Sequence, residues 1–231
     1  MKQYRNLLFD IDMTILNYQA TEDAALDALF KEFGIVVSSA LKQKYKDYNL
    51  GRWKQYERGE ISWKVLNDHM FDLFLAKYCG VKLDGPMVTR HYLHYVCQGK
   101  QTMPGAIPML EKLAPRYSLY AVTNGQTKVQ WSRVRNAHVA QYFSGVYISE
   151  AVGAQKPDPA IFQYVFDHNQ DVNKHNSLMI GDSLTSDVQG GENAGTDTLW
   201  LDWQGSGDVS NHHPTYVAHD LSQITSLLTT V

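Results

Sequence analysis

Leu7-Leu8-Phe9-Asp10-Ile11-Asp12 is the stretch of this sequence that decides the fold. Its short apolar run predicts a buried strand of a parallel sheet, and acidic residues follow directly where that strand ends. Four later apolar runs are similar, and each adjoins a segment with a helical pattern: residues 119–122, 146–148, 178–180 and 198–201. Strands that alternate with helices predict a doubly wound parallel α/β sheet with helices on both faces.

Residues 20–100 have a different pattern, with no convincing strand. Apolar side chains recur there at helical spacing in two clear sets: Leu26, Leu29, Phe30 and Phe33, then Trp63, Leu66, Met70, Leu73 and Phe74. The spacing predicts about four helices, inserted into the α/β domain after its first strand. We therefore expect an α/β domain at residues 1–18 and 101–231, interrupted by a helical insertion at residues 19–100.

Two signals predict where helices of the α/β domain begin. Asp158-Pro159 places an N-cap Asp before a Pro at the first helical position. Ser186-x-x-Gln189 fits a capping box, which predicts a helix that begins at Ser186.

Composition and charge exclude several classes of protein. The chain has 231 residues, of which 44% are hydrophobic, and a formal net charge of −3, which argues against a nucleic-acid polymer or an anionic membrane as partner. No segment approaches the ~20 apolar residues of a membrane span. Cys79 and Cys97 lie outside any CxxC pattern, so we expect reduced thiols and a cytoplasmic location. The oligomeric state stays open.

Polar residues cluster at the ends of the predicted strands: Asp10, Asp12, Thr123, Asn124, Asp182 and Asp187, with Lys156 just before a predicted helix start. In open α/β sheets the ligand crevice lies outside the carboxyl ends of the strands, so we expect these side chains to converge. One lysine does not neutralise four carboxylates, which therefore need a cation. Oxygen ligands without His or Cys suit Mg²⁺, which in turn favours a phosphate-bearing substrate.

Asp10 and Asp12 are the candidates for the chemical steps. Asp10 is the expected nucleophile, because a carboxylate can form an aspartyl-phosphate intermediate. Asp12, two residues later, is the expected acid and base, which protonates the leaving alcohol and then deprotonates the attacking water. An isolated Asp after a strand is usually a turn or cap residue, and only the other polar groups favour the catalytic interpretation.

The remaining polar residues are expected to hold the phosphate and the metal. Lys156 and the Thr123 hydroxyl can bind phosphoryl oxygens, with backbone N–H groups around Asn124. Asp182 can bind the metal directly. Asp187 can orient a metal-bound water or Lys156, although it is also suited to the first turn of its helix.

These residues fall in four short motifs: Phe9-Asp10-Ile11-Asp12-Met13-Thr14, Thr123-Asn124-Gly125, Lys156-Pro157-Asp158-Pro159 and Gly181-Asp182-x-x-x-x-Asp187. In order and spacing, the set resembles the four motifs of the haloacid dehalogenase-like hydrolases. The resemblance implies a Rossmann-like core, a helical cap inserted after the first motif, and Mg²⁺. It also implies that the backbone carbonyl of Asp12, rather than its side chain, completes the metal shell with Asp10 and Asp182.

A closer resemblance links the chain to the noncanonical pyrimidine 5′-nucleotidases. It rests on residues 53–62 (WKQYERGEIS), 104–106 (PGA), 122–125 (VTNG) and 148–153 (ISEAVG). It implies a magnesium-dependent phosphomonoesterase whose substrates are pyrimidine nucleoside monophosphates. Trp53 and Tyr56 are then candidates for stacking on the base, although aromatic residues of a helical cap more often belong to its core. Met13 departs from the small or polar residue that is common at its position.

Other functions remain open from the sequence. A phosphatase of another small metabolite, such as a sugar phosphate or phosphoglycolate, and a hexose phosphate mutase would share the same motifs. A carbon–halogen hydrolase would need neither Asp12 nor the Asp182 and Asp187 pair, so these residues count against it. A binding protein on an inactive fold is disfavoured by the complete set of polar residues.

Overall fold

The computed structural model describes residues 2–209 and 211–229, and only the backbone of Glu57. The chain divides into two compact units, one of Met1–Tyr18 with Lys100–Val231 and the other of Gln19–Gly99. The predicted second boundary lies one residue later, after residue 100. The predicted domain ranges also include Met1, Ser210, Thr230 and Val231, which lie outside the described residues. That the two units are a catalytic core and a cap stays a prediction.

The inserted unit is helical. Its helices are α1 (Tyr18–Glu32), whose first residue belongs to the other unit, α2 (Ser39–Glu57), α3 (Trp63–Asp68), α4 (Asp72–Tyr78) and α5 (Gly85–Val96). We expected about four helices, and the described residues form five. The periodic pattern from Trp63 to Phe74 predicted one continuous helix, but the chain leaves the helix after Asp68 and starts again at Asp72.

The other unit contains a parallel sheet. In chain order, its described residues form β1 (Asn6–Phe9), β2 (Ser118–Thr123), β3 (Gly145–Ile148), β4 (Ser177–Gly181), β5 (Asp197–Leu201) and β6 (Tyr216–Ala218). The order across the sheet is β3-β2-β1-β4-β5-β6, and all neighbouring strands are parallel. The five predicted strands are confirmed, and β1 lies between β2 and β4. The chain crosses from one half of the sheet to the other beside β1, which places a crevice at the carboxyl end of that strand.

The sixth strand was not predicted. It has three residues at the edge of the sheet, and of these only Ala218 is fully buried. Val217 is 43% exposed. A short edge strand of this kind lacks the apolar run that marks the buried strands.

The helices of this unit are α6 (Ala106–Leu113), which precedes β2, and α7 (Thr127–Asn136), α8 (Ser149–Val152), α9 (Pro159–Asp167), α10 (Gln189–Ala194) and α11 (Leu221–Thr229), which follow later strands. A short 3₁₀ turn (Ala140–Tyr142) precedes β3, and a π-helical turn (Leu184–Val188) precedes α10.

The sheet has one apolar core on each face. Because successive side chains of a strand point to opposite faces, Leu7 and Phe9 share one core and Leu8 belongs to the other. Residues of α6 and α11 pack in the first core, and residues of α9 pack in the second. This confirms the doubly wound α/β fold with helices on both faces.

The predicted helix starts have different outcomes. Asp158 is the N-cap of α9, and its carboxylate accepts a hydrogen bond from Ala160 N at 2.9 Å, as predicted. The prediction of a capping box that begins at Ser186 is wrong. Ser183 is the cap instead, and its hydroxyl accepts from Ser186 N at 3.2 Å. The helical chain begins three residues earlier than expected because the π-helical turn precedes α10.

Among the described residues, no helix combines the length and the apolar character needed to cross a bilayer. Cys79 and Cys97 are not joined by a disulfide, in agreement with the expectation of reduced thiols.

Candidate active site

Asp10 lies among polar side chains at the carboxyl end of the sheet. It directly follows β1, and its backbone N–H donates to Ile180 O of β4 at 2.9 Å. Thr123 is the last residue of β2, and Asp182 directly follows β4. Parallel strands in register bring their carboxyl ends together, so residues far apart in the sequence meet at one edge of the sheet.

Lys156 is held between two carboxylates. Its Nζ lies 2.6 Å from Asp10 Oδ1 and 2.6 Å from Asp187 Oδ1. The lysine side chain is 1% exposed, so both ion pairs are shielded from water. The Asn124 amide fixes the lysine backbone, because its Nδ2 donates to Lys156 O and its Oδ1 accepts from Lys156 N, both at 2.9 Å. Asn124 therefore positions Lys156 as well as lying in the predicted phosphate-binding loop.

Three carboxylates gather around this lysine. Asp10, Asp182 and Asp187 each offer an oxygen, and these oxygens all lie within 4.8 Å of one another. Asp182 is set in place partly through its backbone, since its carbonyl accepts a hydrogen bond from Trp200 Nε1 at 2.9 Å.

The cluster carries more negative charge than one lysine neutralises. Burial raises the pKa of Asp10 to about 7; the charge of Lys156 opposes this shift, and the carboxylates of Asp187 and Asp12 add to it. Burial also raises the pKa of Asp182 well above its ordinary value, and Asp187 and Asp10 contribute further. Burial alone would lower the pKa of Lys156, but the carboxylates of Asp10 and Asp187 outweigh it and raise this pKa. A cluster of this composition fits a hard divalent cation, which favours oxygen ligands.

The position of the Asp187 carboxylate depends on Gly181, the last residue of β4. A Cβ at Gly181 would lie 2.1 Å from Asp187 Oδ2, so no other residue at that position leaves room for the carboxylate. The same oxygen accepts a hydrogen bond from Ser183 N at 3.0 Å. Asp187 thus contacts Lys156 through one oxygen and the chain after β4 through the other. Of its two predicted roles, the structure shows the contact with Lys156.

Asp12 is surrounded by residues that the sequence analysis did not identify. Gln130 Nε2 donates to Asp12 Oδ2 at 2.9 Å and to Thr123 Oγ1 at 2.8 Å. Arg133 Nη1 lies 2.5 Å from Asp12 Oδ1. Both residues are buried, on helix α7, which directly follows the Thr123-Asn124-Gly125 loop.

A sequence signal for Gln130 and Arg133 exists in the helical periodicity. Val129, Gln130, Arg133 and Val134 share one face of α7, and the two valines mark that face as buried. Two large polar side chains on a buried face need polar partners, and residues at the ends of neighbouring strands can supply them. Gly125 makes room for this arrangement, since a Cβ there would lie 3.3 Å from Gln130 Cγ.

Trp53 and Tyr56 lie on helix α2 of the inserted unit. Their rings are 5.9 Å apart, and each also contacts Trp63, at 5.8 Å from Trp53 and 5.3 Å from Tyr56. Both side chains are half-buried. The three rings form one aromatic cluster, and the stacking of a base on Trp53 and Tyr56 stays a prediction.

The chain matches known proteins over nearly its whole length. The haloacid dehalogenase-like hydrolase family matches residues 7–201. The HAD-hydrolase YfnB of Bacillus subtilis is 36% identical over 99% of this chain and 97% of its own. The crystal structure of YfnB, described as bound to magnesium, superposes with a TM-score of 0.94 at 35% identity and covers 99% of this chain and 100% of that one.

Two further relatives are named as pyrimidine 5′-nucleotidases. PynA of Streptococcus pneumoniae is 37% identical over 97% of this chain and 95% of its own. YjjG of Escherichia coli is 25% identical over 96% of each chain. These similarities include the inserted helical unit as well as the sheet.

Proposed function

The chain belongs to the haloacid dehalogenase-like hydrolase family, and on this basis we propose that it is a magnesium-dependent phosphomonoesterase that acts through Asp10. The observation that carries the proposal is the buried cluster in which Lys156 Nζ lies 2.6 Å from both Asp10 and Asp187, with Asp182 beside them. It combines a carboxylate nucleophile, a fixed cation and further oxygen ligands at one strand end.

In the first step, a carboxylate oxygen of Asp10 attacks the phosphorus of the ester. The bond between phosphorus and the Asp10 oxygen forms while the bond to the leaving oxygen breaks. The carboxyl proton of Asp12 passes to that leaving oxygen, which departs as an alcohol. The products are an aspartyl-phosphate and an ionised Asp12.

In the second step, a water attacks the same phosphorus. Its proton passes to the Asp12 carboxylate, and the bond between phosphorus and the Asp10 oxygen breaks. Inorganic phosphate leaves, Asp10 is again a carboxylate, and Asp12 is again protonated. The two steps return both residues to their starting states, so the cycle balances.

Charge on the phosphoryl oxygens requires several donors. Lys156 is fixed in place by Asn124, and the Thr123 hydroxyl lies at the end of β2. Preorganised donors of this kind stabilise charge in the transition state because they need little reorganisation. The carboxylates of Asp10 and Asp182, with the backbone carbonyl of Asp12, would hold Mg²⁺, which when bound neutralises negative charge on the phosphate and on Asp10.

We infer that the substrates are small-molecule pyrimidine nucleoside monophosphates. The support is the likeness to PynA and YjjG, which extends through the inserted unit as well as the sheet. The rings of Trp53 and Tyr56 supply flat apolar surface suited to a base. A cytoplasmic location remains part of this proposal.

A phosphate-release screen with Mg²⁺ tests the proposal. It should compare pyrimidine and purine nucleoside monophosphates, sugar phosphates and phosphoglycolate, with the Asp10→Asn protein as control. We expect turnover of the pyrimidine nucleotides, and none by the control. Activity confined to the non-nucleotide esters would overturn the substrate assignment. Absence of phosphate release from every ester would overturn the phosphatase itself. Conversion of a sugar 1-phosphate into its 6-phosphate would identify a mutase instead.

A further inference from the structure

We propose that Gln130 and Arg133 are positioning residues that hold the Asp12 carboxyl group in place for proton transfer to the leaving alcohol. This role rests on the proposed phosphatase reaction and adds two residues that support its acid–base step. Both residues lie on helix α7, which contributes no residue to the four motifs.

Gln130 joins the acid–base residue to the phosphate-binding hydroxyl. Its Nε2 donates to Asp12 Oδ2 at 2.9 Å and to Thr123 Oγ1 at 2.8 Å, and the side chain is buried. An amide N–H only donates, so the Thr123 oxygen is the acceptor in this contact. The Thr123 hydroxyl itself donates to Asn124 O, at the long distance of 3.4 Å.

Arg133 sets the orientation of that amide. Its Nη1 donates to Gln130 Oε1 at 3.0 Å, which directs the oxygen of the amide toward the guanidinium and its nitrogen toward Asp12 and Thr123. A reversed amide would place an NH₂ group against the guanidinium and would lose this bond. Arg133 therefore acts on Asp12 both directly, at 2.5 Å from Oδ1, and through Gln130.

The burial of Arg133 is costly for the fold. The side chain is 1% exposed, and its Nε and Nη2 have no hydrogen-bond partner among the described residues. The guanidinium carbon lies 5.1 Å from the centre of the Tyr18 ring, which offers a cation–π contact. A buried charge with incomplete hydrogen bonding is poor evidence of a stabilising role. Its contacts with Asp12 and Gln130 instead point to a role in the proposed reaction.

The Asp12 side chain is 31% exposed, so it can be solvated when its partners are removed. Replacement of Arg133 or Gln130 should therefore disorder Asp12 without leaving a fully buried, unpaired carboxylate. The loss of activity should be greatest for substrates whose leaving group must be protonated. An alkyl phosphate needs that proton, whereas p-nitrophenyl phosphate releases a phenolate that is stable without it.

The test uses Arg133→Met, Arg133→Lys and Gln130→Met, with Arg135→Met as control on the same helix. Arg135 is exposed and lies over the Trp131 ring, 5.0 Å from its centre. The measurement is kcat/KM for uridine 5′-monophosphate and for p-nitrophenyl phosphate, because this ratio reports phosphoryl transfer to Asp10 and not the later hydrolysis. Thermal unfolding of each variant checks the fold.

We expect Arg133→Met and Gln130→Met to lower kcat/KM for the nucleotide about 100-fold, and for the aryl ester less than about tenfold. Arg133→Lys should recover part of the loss, and Arg135→Met should match the wild type on both esters. Equal losses on both esters, or no loss on either, would overturn the positioning role. If Arg133→Met does not fold, Gln130→Met alone decides between these results. A wild-type protein that hydrolyses neither ester would instead overturn the proposed function.

Discussion

Lys156 Nζ lies 2.6 Å from Asp10 Oδ1, and both side chains are almost completely withdrawn from solvent. The pair joins the end of the central strand β1 to the loop that leads into α9. Asp187 contacts the same ammonium from its other side, so the lysine is shared by two carboxylates. A shared cation of this kind keeps two negative groups close together and places a charged donor beside Asp10.

Lys156→Met should remove most of the activity and weaken the fold. The variant leaves Asp10 and Asp187 buried without their cation, which costs about 3–5 kcal/mol when one partner of a buried pair is removed. Loss of one charged donor to the phosphate should lower kcat about 100- to 1,000-fold. Phosphate release and urea unfolding measure the two effects. Lys128→Met, at an exposed position of α7, is the control. A kcat close to that of the wild type would contradict the role of Lys156.

Magnesium should stabilise the protein more at neutral than at acidic pH. The pKa of Asp10 rises from 3.8 to about 7 on folding, so the folded chain binds this proton more tightly than the unfolded chain. Its contribution to stability is complete below the unfolded value and is lost as the pH rises through about 7 in the metal-free protein. Thermal unfolding with and without Mg²⁺, at about pH 5 and about pH 7.5, should show the larger gain at the higher value. A larger gain at the lower pH would contradict the metal assignment.

Gly181→Ala should disturb the site without altering any charge. The added Cβ would lie 2.1 Å from Asp187 Oδ2, so Asp187 must move away from Lys156. We expect about a 10- to 100-fold loss of magnesium affinity or activity, the usual effect of displacing a residue that supports a metal site. Gly51→Ala is the matched control, since a Cβ on this residue of α2 meets no atom of the described part of the chain within 4 Å. It should add about 1 kcal/mol of stability and leave activity unchanged.

Trp53→Leu distinguishes a role of Trp53 in binding the base from a role in the packing of the inserted unit. Stacking of a base on an aromatic ring contributes about 1–3 kcal/mol, so loss of the ring should raise KM for uridine 5′-monophosphate roughly 5- to 150-fold. KM for p-nitrophenyl phosphate should change little. Trp63→Leu removes another ring of the same aromatic cluster and is the control. Equal changes with both variants and both esters would assign Trp53 to the packing of the inserted unit.

The strands and the motif residues were predictable because their signals are local. The apolar runs mark β1 to β5, and the residues that follow each run identify Asp10, Lys156 and Asp182 as members of one site. The position of β6 was not predictable, since its three residues have no apolar run. The start of the helical chain at Ser183 was missed because the π-helical turn has no sequence pattern of its own.

Gln130 and Arg133 show what motif spacing does not reveal. Neither belongs to a motif, and a polar residue on a helix is ordinarily assigned to solvent. Their importance follows from tertiary structure, because α7 passes beside the ends of β1 and β2. Only the combination of a buried helical face with large polar side chains could have drawn attention to them in advance.

A covalent phosphoryl group on Asp10 can be detected directly. The wild-type protein is mixed with uridine 5′-monophosphate and Mg²⁺, quenched in acid within the first turnover, digested, and analysed by mass spectrometry. We predict that the peptide containing Asp10 carries one additional phosphoryl group, which disappears in the Asp10→Asn protein together with turnover. A phosphoryl group on another residue, or full turnover by Asp10→Asn, would contradict the proposed mechanism.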